Sequence, residues 1–210
     1  MLSDARLAWF RRYDETPDEL FYRSPRLVTH IDDQAIRAVT QLYREFFPPG
    51  GAILDLMSSW VSHLPEEVRY SRVVGLGMNR EELAANPRLD EFLVQSLNAD
   101  PGLPFEDHAF DGCGICVSIQ YLTDPVTVLR EVGRALNPGA PVGITFSHRC
   151  FPTKAVAVWQ HLDDAGHREL VMRYLSDAGL WEHIHSQDRS PGPGSDPLYA
   201  VTAHRKKTGA

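Results

Sequence analysis

Residues 111–147, DGCGICVSIQYLTDPVTVLREVGRALNPGAPVGITFS, decide the fold. The opening run DGCGICVSI is short, apolar and rich in strand formers, as is the closing run APVGITFS. Between them DPVTVLREVGRAL has the length and composition of a helix, and Asn137, Pro138 and Gly139 stop it, because proline breaks the hydrogen-bond ladder and glycine accepts a left-handed cap. Strand, helix and strand in this order form a crossover unit with two parallel strands.

Upstream the alternation continues. AILDLM (52–57), RVVGLG (72–77) and FLVQSL (92–97) read as strands, with a short helix expected near LPEEV (64–68) and another over NREELAAN (79–86). Runs apolar on both faces argue for a mostly parallel sheet covered by helices on both sides. Downstream, residues 151–179 read as one or two helices. WEHIHSQ (181–187) and PLYAVTAHR (197–205) alternate in polarity across the proline- and glycine-rich loop DRSPGPGSD, the pattern of an antiparallel hairpin at the end of the sheet.

The first 47 residues predict interrupted helices: DARLAWFRRY (4–13), a turn near Pro17, then DDQAIRAVTQLYREFF (32–47), where Ile36, Val39, Leu42, Tyr43 and Phe46 recur at helical spacing and Asp32 or Asp33 supplies the N-cap. Pro48 to Gly51 end that helix. The expected organisation is a helical cap or lid over 1–47 and a core over 48–205, within one compact domain.

Composition narrows the function. A formal charge of −7 in 210 residues gives no attraction to a phosphate backbone, and only Arg205, Lys206 and Lys207 cluster as cations, so nucleic acid is not the expected substrate. No run reaches membrane-helix length and the N-terminus lacks a long apolar signal segment, so the expectation is a cytoplasmic protein without membrane contact. Cys113 and Cys116 have C-x-x-C spacing, but on a strand they point to opposite faces and read as structural thiols. His161, Asp164 and His167 suit a metal by type without completing a ligand set, so no metal is expected.

Three stretches, GAILDLM (51–57), LPFEDHAFDGCGICVSIQYLTDP (103–125) and VLREVGRALNPGAPVGITF (128–146), resemble the class I S-adenosylmethionine-dependent methyltransferases, in the branch labelled methyltransferase type 11. The resemblance covers about residues 50–150. It implies a Rossmann-like sheet of seven strands, mostly parallel, with an antiparallel last strand, and transfer of a methyl group from S-adenosylmethionine to a small-molecule acceptor. The cofactor would lie at the carboxyl ends of the strands, near Asp55, Met57, Gly77, Asn98 and Ser118.

Two departures stand out. Where the family has acid-x-G-x-G-x-G, this chain reads Asp55-Leu56-Met57-Ser58-Ser59-Trp60-Val61, and where the family has a ribose-binding acid it has Gly77. In one reading Ser58 and Ser59 hold the cofactor carboxylate, Asp55 receives its ammonium, and Asn79 and Asn98 serve ribose and adenine. In the other the fold persists as a non-catalytic binding protein that has lost the cofactor loop.

For the chemistry, His148 after the fifth strand is a candidate base or a capped loop histidine, with Arg149 beside it. The resemblance implies that Tyr121 after the fourth strand stands where the family often has residues facing the transferred methyl, its alternative role being packing. Tyr22, Arg26 and His30 lie close together in ELFYRSPRLVTHID, a candidate lid in which Arg26 either clamps an acidic acceptor or forms surface salt bridges. His63, in WVSHLP, is either a site residue or the polar tip of a packed turn.

Overall fold

A computed structural model describes residues 8–207. Seven strands, β1 (Ala52–Ser58), β2 (Arg72–Gly77), β3 (Glu91–Val94), β4 (Gly112–Cys116), β5 (Pro141–Phe146), β6 (Trp181–Asp188) and β7 (Tyr199–Arg205), form one sheet in the order β3-β2-β1-β4-β5-β7-β6. The first five are parallel. β7 runs antiparallel to both β5 and β6, as the alternating C-terminal segments require. The order reverses between β1 and β4, so the crevice where ligands of such sheets bind opens above their carboxyl ends.

The helices are α1 (Asp18–Phe21), α2 (Asp33–Phe46), α3 (Arg80–Ala85), α4 (Pro125–Ala135), α5 (Ala157–Gln160) and α6 (Asp164–Ala178). Asp32 caps α2 by accepting from the amides of Gln34 and Ala35. Asp124 caps α4, with Pro125 in the first turn, and Gly179 ends α6 at φ 79°.

α2 belongs to the core. Gly112 and Gly114 share one face of β4 at strand period, and Gly143 is the register partner of Gly114 on β5. The flat strip they leave takes the stacked rings of Tyr43 and Phe47. A methyl on Gly114 would stand 2.9 Å from Tyr43 Oη, and one on Gly112 would stand 3.0 Å from Phe47 Cδ1. Cys113 and Ile115 point the other way, into the core shared with α4 and α6. Of the segment expected to cap the domain, residues 33–46 therefore form a layer of the sandwich, and the covering part is residues 8–31.

Three local expectations change. Residues 59–71 cross from β1 to β2 without a helix at LPEEV: Arg88 donates from Nη2 to the carbonyls of Pro65 and Val68, partners that a helix would have supplied from its own amides. The strand expected over 92–97 stops at Val94, where Gln95 turns its amide to the carbonyls of Asp100 and Gly102. The helix expected over 4–13 is described only from Ala8; it ends by Phe10, and Arg12 then bridges to Val156. Among the described residues, no helix is long and apolar enough to cross a membrane.

Candidate functional site

A cavity of about 480 Å³ opens above the carboxyl ends of β1, β2 and β4. Asp55, Met57, Gly77, Cys116 and Ser118 line its base, His148, Arg149 and Phe151 its side, and residues of the strap 18–31 its roof.

The base is shaped by a bulge. β1 pairs with β2 in step up to Leu56 and Leu76, skips Met57, and resumes with Ser58 opposite Gly77. Met57 is held at φ 58°, the left-handed conformation that glycine adopts freely, at the position of the family's first loop glycine. The bulge carries the Ser58 carbonyl over Gly77, where a methyl group would lie only 2.2 Å from that oxygen. The course of the loop and the glycine at 77 are thus sterically coupled: the loop fills the space an acidic side chain at 77 would need. His63 (φ 54°) and Val117 (φ 42°) line the same cavity. Strained backbone gathered in one cleft is typical of ligand sites, and a β-branched residue there is a true outlier.

Asp55 is buried and accepts the hydroxyls of Ser58 (2.5 Å) and Ser62 (2.6 Å). Burial pushes its carboxyl up to about 6, against the pull of the two serines. Ser59 donates to Glu82 Oε2 at 2.7 Å. Both hydroxyl protons expected to hold a cofactor carboxylate are therefore committed to protein carboxylates, which leaves Ser58 and Ser59 as acceptors toward the cavity.

Asn79 stands outside the cavity lining. Its oxygen caps α3 and its amide holds the carbonyls of Tyr22 and Arg23, fastening the strap. Asn98 lines the cavity, but its amide joins Asp18 Oδ2 to the Tyr121 carbonyl while its oxygen accepts from Thr123, so it acts as a clamp. Ser118 keeps a buried Oγ with no partner among the described residues. Tyr121 accepts the Phe151 amide at 2.9 Å, and burial raises its hydroxyl above the ordinary tyrosine value, so it is no base at neutral pH. His63 is pushed down to about 4 by burial and by neighbouring His30, so its ring stays neutral. Burial moves the Cys116 thiol up to about 12, leaving a protonated wall group where the sequence indicated only structural sulfur. His161 and His167 are taken up by the carbonyls of Ala157 and Trp159.

Three residues were missed by sequence reasoning. Glu82 is buried in the cavity wall, accepting from Ser59 and from the Arg26 amide (2.7 Å). The N-x-x-E pattern from Asn79 indicated a helix start but not that Glu82 faces the cavity. Asp196 exchanges backbone–carboxylate hydrogen bonds with Asp32 and lies 3.5 Å from His148 Nε2 and 3.6 Å from Arg149 Nε. Lys154 is fully buried: its ammonium donates to the Thr16 carbonyl at 2.6 Å and faces Asp14 and Asp18 at 3.4 Å each, while Arg12 reaches Asp18 at 2.7 Å. Its signal was that it is the lone lysine before the C-terminal pair.

Residues 57–143 match the family model of a methyltransferase domain. No curated protein matches the chain. Among solved structures, an S-adenosylmethionine-dependent methyltransferase from Mesorhizobium loti is 18% identical, with TM-score 0.57 over 80% of this chain and 98% of that one. The phosphoethanolamine N-methyltransferase 2 of Haemonchus contortus, seen with phosphomonomethylethanolamine and S-adenosylhomocysteine, is 15% identical, with TM-score 0.58 over 81% of this chain and 52% of that one. The [4+2]-cyclase SpnF, at 16% identity, TM-score 0.58 and 82% and 81% coverage, shares the fold under a different reaction name. At these identities the likeness shows the fold.

Proposed function

We propose that the chain, whose residues 57–143 match the family model of a methyltransferase domain, transfers a methyl group from S-adenosylmethionine to a small-molecule acceptor held under the strap. The observation that carries this reading is the cavity at the switch point, where Met57 keeps a glycine-like conformation although the loop has lost its glycines. When bound, the cofactor supplies a methyl group activated by its sulfonium sulfur. Asp55 receives the ammonium, the unpartnered Ser118 hydroxyl and the oxygens of Ser58 and Ser59 take polar groups nearby, and the strap keeps water away from the acceptor. His148, with Asp196 beside it, removes a proton from an acceptor that arrives protonated.

A thermal melt with S-adenosylhomocysteine tests the reading. At one hundred times the dissociation constant, linkage stabilises the protein by about 2.7 kcal/mol, roughly 5–10 °C in melting temperature for a chain of this size. Asp55 adds a pH signature. Its folded carboxyl titrates near 6, above the ordinary 3.8, so it weakens the ligand-free protein as pH rises from about 4 to 6. An ammonium needs the ionised form, so S-adenosylhomocysteine affinity rises as pH approaches 6. Asp55→Asn is expected to flatten both trends and to lower affinity by roughly tenfold or more. No melting shift and no heat at any pH would leave a binding protein built on the fold.

His148→Ala is expected to lower single-turnover methyl transfer while S-adenosylhomocysteine affinity stays at the wild-type value. Unchanged turnover would return His148 to its role as a neighbour of Asp196.

A further inference from the structure

We propose that Arg26 is the carboxylate-binding residue of this cavity, and that the carboxylate belongs to a planar acceptor seated against the aromatic roof. The inference rests on the methyltransferase reading for what the acceptor does, but not for the anion site itself.

The guanidinium of Arg26 lies 4.7 Å from the ring centre of Phe21, 5.4 Å from that of Phe151 and 5.8 Å from that of Tyr22. Rings on several sides remove water from a cation without giving it a counter-charge. Nη2 donates to the Phe21 carbonyl at 2.9 Å, whereas Nη1 is buried with no hydrogen-bond partner. Among the described residues no carboxylate stands within ion-pair distance of this guanidinium, so the surface salt bridges that sequence allowed do not form.

The acids near it have other partners. Asp18 is held by Arg12, Lys154 and Asn98, Asp55 by Ser58 and Ser62, and Glu82 by Ser59 and the Arg26 backbone amide. A chain with 28 acidic residues has thus left one cavity-lining arginine unpaired. Arginine's planar fork suits a carboxylate, and a part-buried cation with an unpartnered Nη1 gains an ion pair when one arrives. The rings of Phe151 and Tyr121 are stacked at 5.9 Å beside it, with His30 edge-on to Phe151, so an aromatic wall against which an aryl acid can pack lies next to the cation.

The anion has two sources, the acceptor or the cofactor's own methionine carboxylate, and two arms of one experiment separate them. In the first arm, wild type and Arg26→Met are saturated with S-adenosylhomocysteine and melted with benzoate, phenylacetate or cinnamate, each against its neutral amide. The acids are expected to stabilise wild type more than the amides do, and that preference is expected to vanish in Arg26→Met and to survive in part in Arg26→Lys. In the second arm, S-adenosylhomocysteine and 5′-methylthioadenosine, which lacks the amino-acid tail, are titrated into the same proteins. A loss of roughly tenfold or more in Arg26→Met for the first compound alone would give Arg26 to the cofactor's carboxylate and overturn its assignment to the acceptor. The proposal is overturned if wild type makes no distinction between acids and amides, or Arg26→Met keeps it, while both nucleosides bind the variant as tightly as wild type. An acid preference that depends on Arg26, found in a protein that binds neither nucleoside, would keep the anion site and dismiss the methyltransferase reading. Should Arg26→Met fail to fold, Arg26→Lys carries both arms.

Discussion

Lys154→Met is expected to destabilise the protein by about 3–5 kcal/mol, because removing one partner of a buried ionic cluster leaves the other charges uncompensated. The ammonium has no solvent exposure and gathers the Asp14 and Thr16 carbonyls with the Asp14 and Asp18 carboxylates. Methionine fills the space without replacing a single contact. Arg12 still holds Asp18, so the damage centres on Asp14, Thr16 and the start of the strap. A melting temperature lower by roughly 6–20 °C follows for a chain of this size. Asp14→Asn in the Lys154→Met background is expected to recover part of the loss, a coupling that a double-mutant cycle in urea reads directly. Additive effects would mean that Lys154 serves only as a carbonyl ligand. Limited proteolysis should cut the variant first between residues 14 and 31.

Gly77→Asp restores the family's acid at the end of β2 and is expected to harm the protein, costing on the order of 4 kcal/mol from overpacking together with a buried carboxylate that lacks a partner. The new Cβ would meet the Ser58 carbonyl oxygen at 2.2 Å and Leu83 Cδ2 at 3.1 Å, and the first of these is backbone held by the β1–β2 ladder. Relief requires the bulge at Met57 to open, which disturbs Asp55, Ser58 and Ser62 together. Gly77→Ala is expected to show most of the loss, since the clash begins at Cβ. Denaturant unfolding gives the stability, and titration with S-adenosylhomocysteine gives the site. Unchanged stability together with tighter binding in Gly77→Asp would show that the loop leaves Gly77 clear in solution.

The parallel core was legible because its signals are local: apolar runs of strand length, a proline and glycine stop after α4, and a polar hairpin loop before β7. The role of α2 was not, because it depends on Gly112, Gly114 and Gly143 falling on one face, which only the register of β4 on β5 establishes. LPEEV forms a turn instead of a helix, with the Val68 amide donating to the Pro65 carbonyl and Arg88, 20 residues further on, holding the Val68 carbonyl, a partner no local pattern announces. The site divides in the same way. Asp55, Met57, Gly77, Ser118, His148 and Arg149 line the cavity, a placement that could be read because strand ends mark the cleft. Glu82, Asp196 and Lys154 escaped because their partners lie 23 to 164 residues away along the chain. Asn79 and Asn98 have suitable side chains, but backbone and Asp18 partners claim them first.

The bulge at Met57 also ties two distant parts of the chain into one mechanical unit. With the Ser58 carbonyl set over Gly77, a side chain at 77 and the present course of residues 57–59 exclude each other. Any redesign of the cavity floor must therefore recast both strand ends at once.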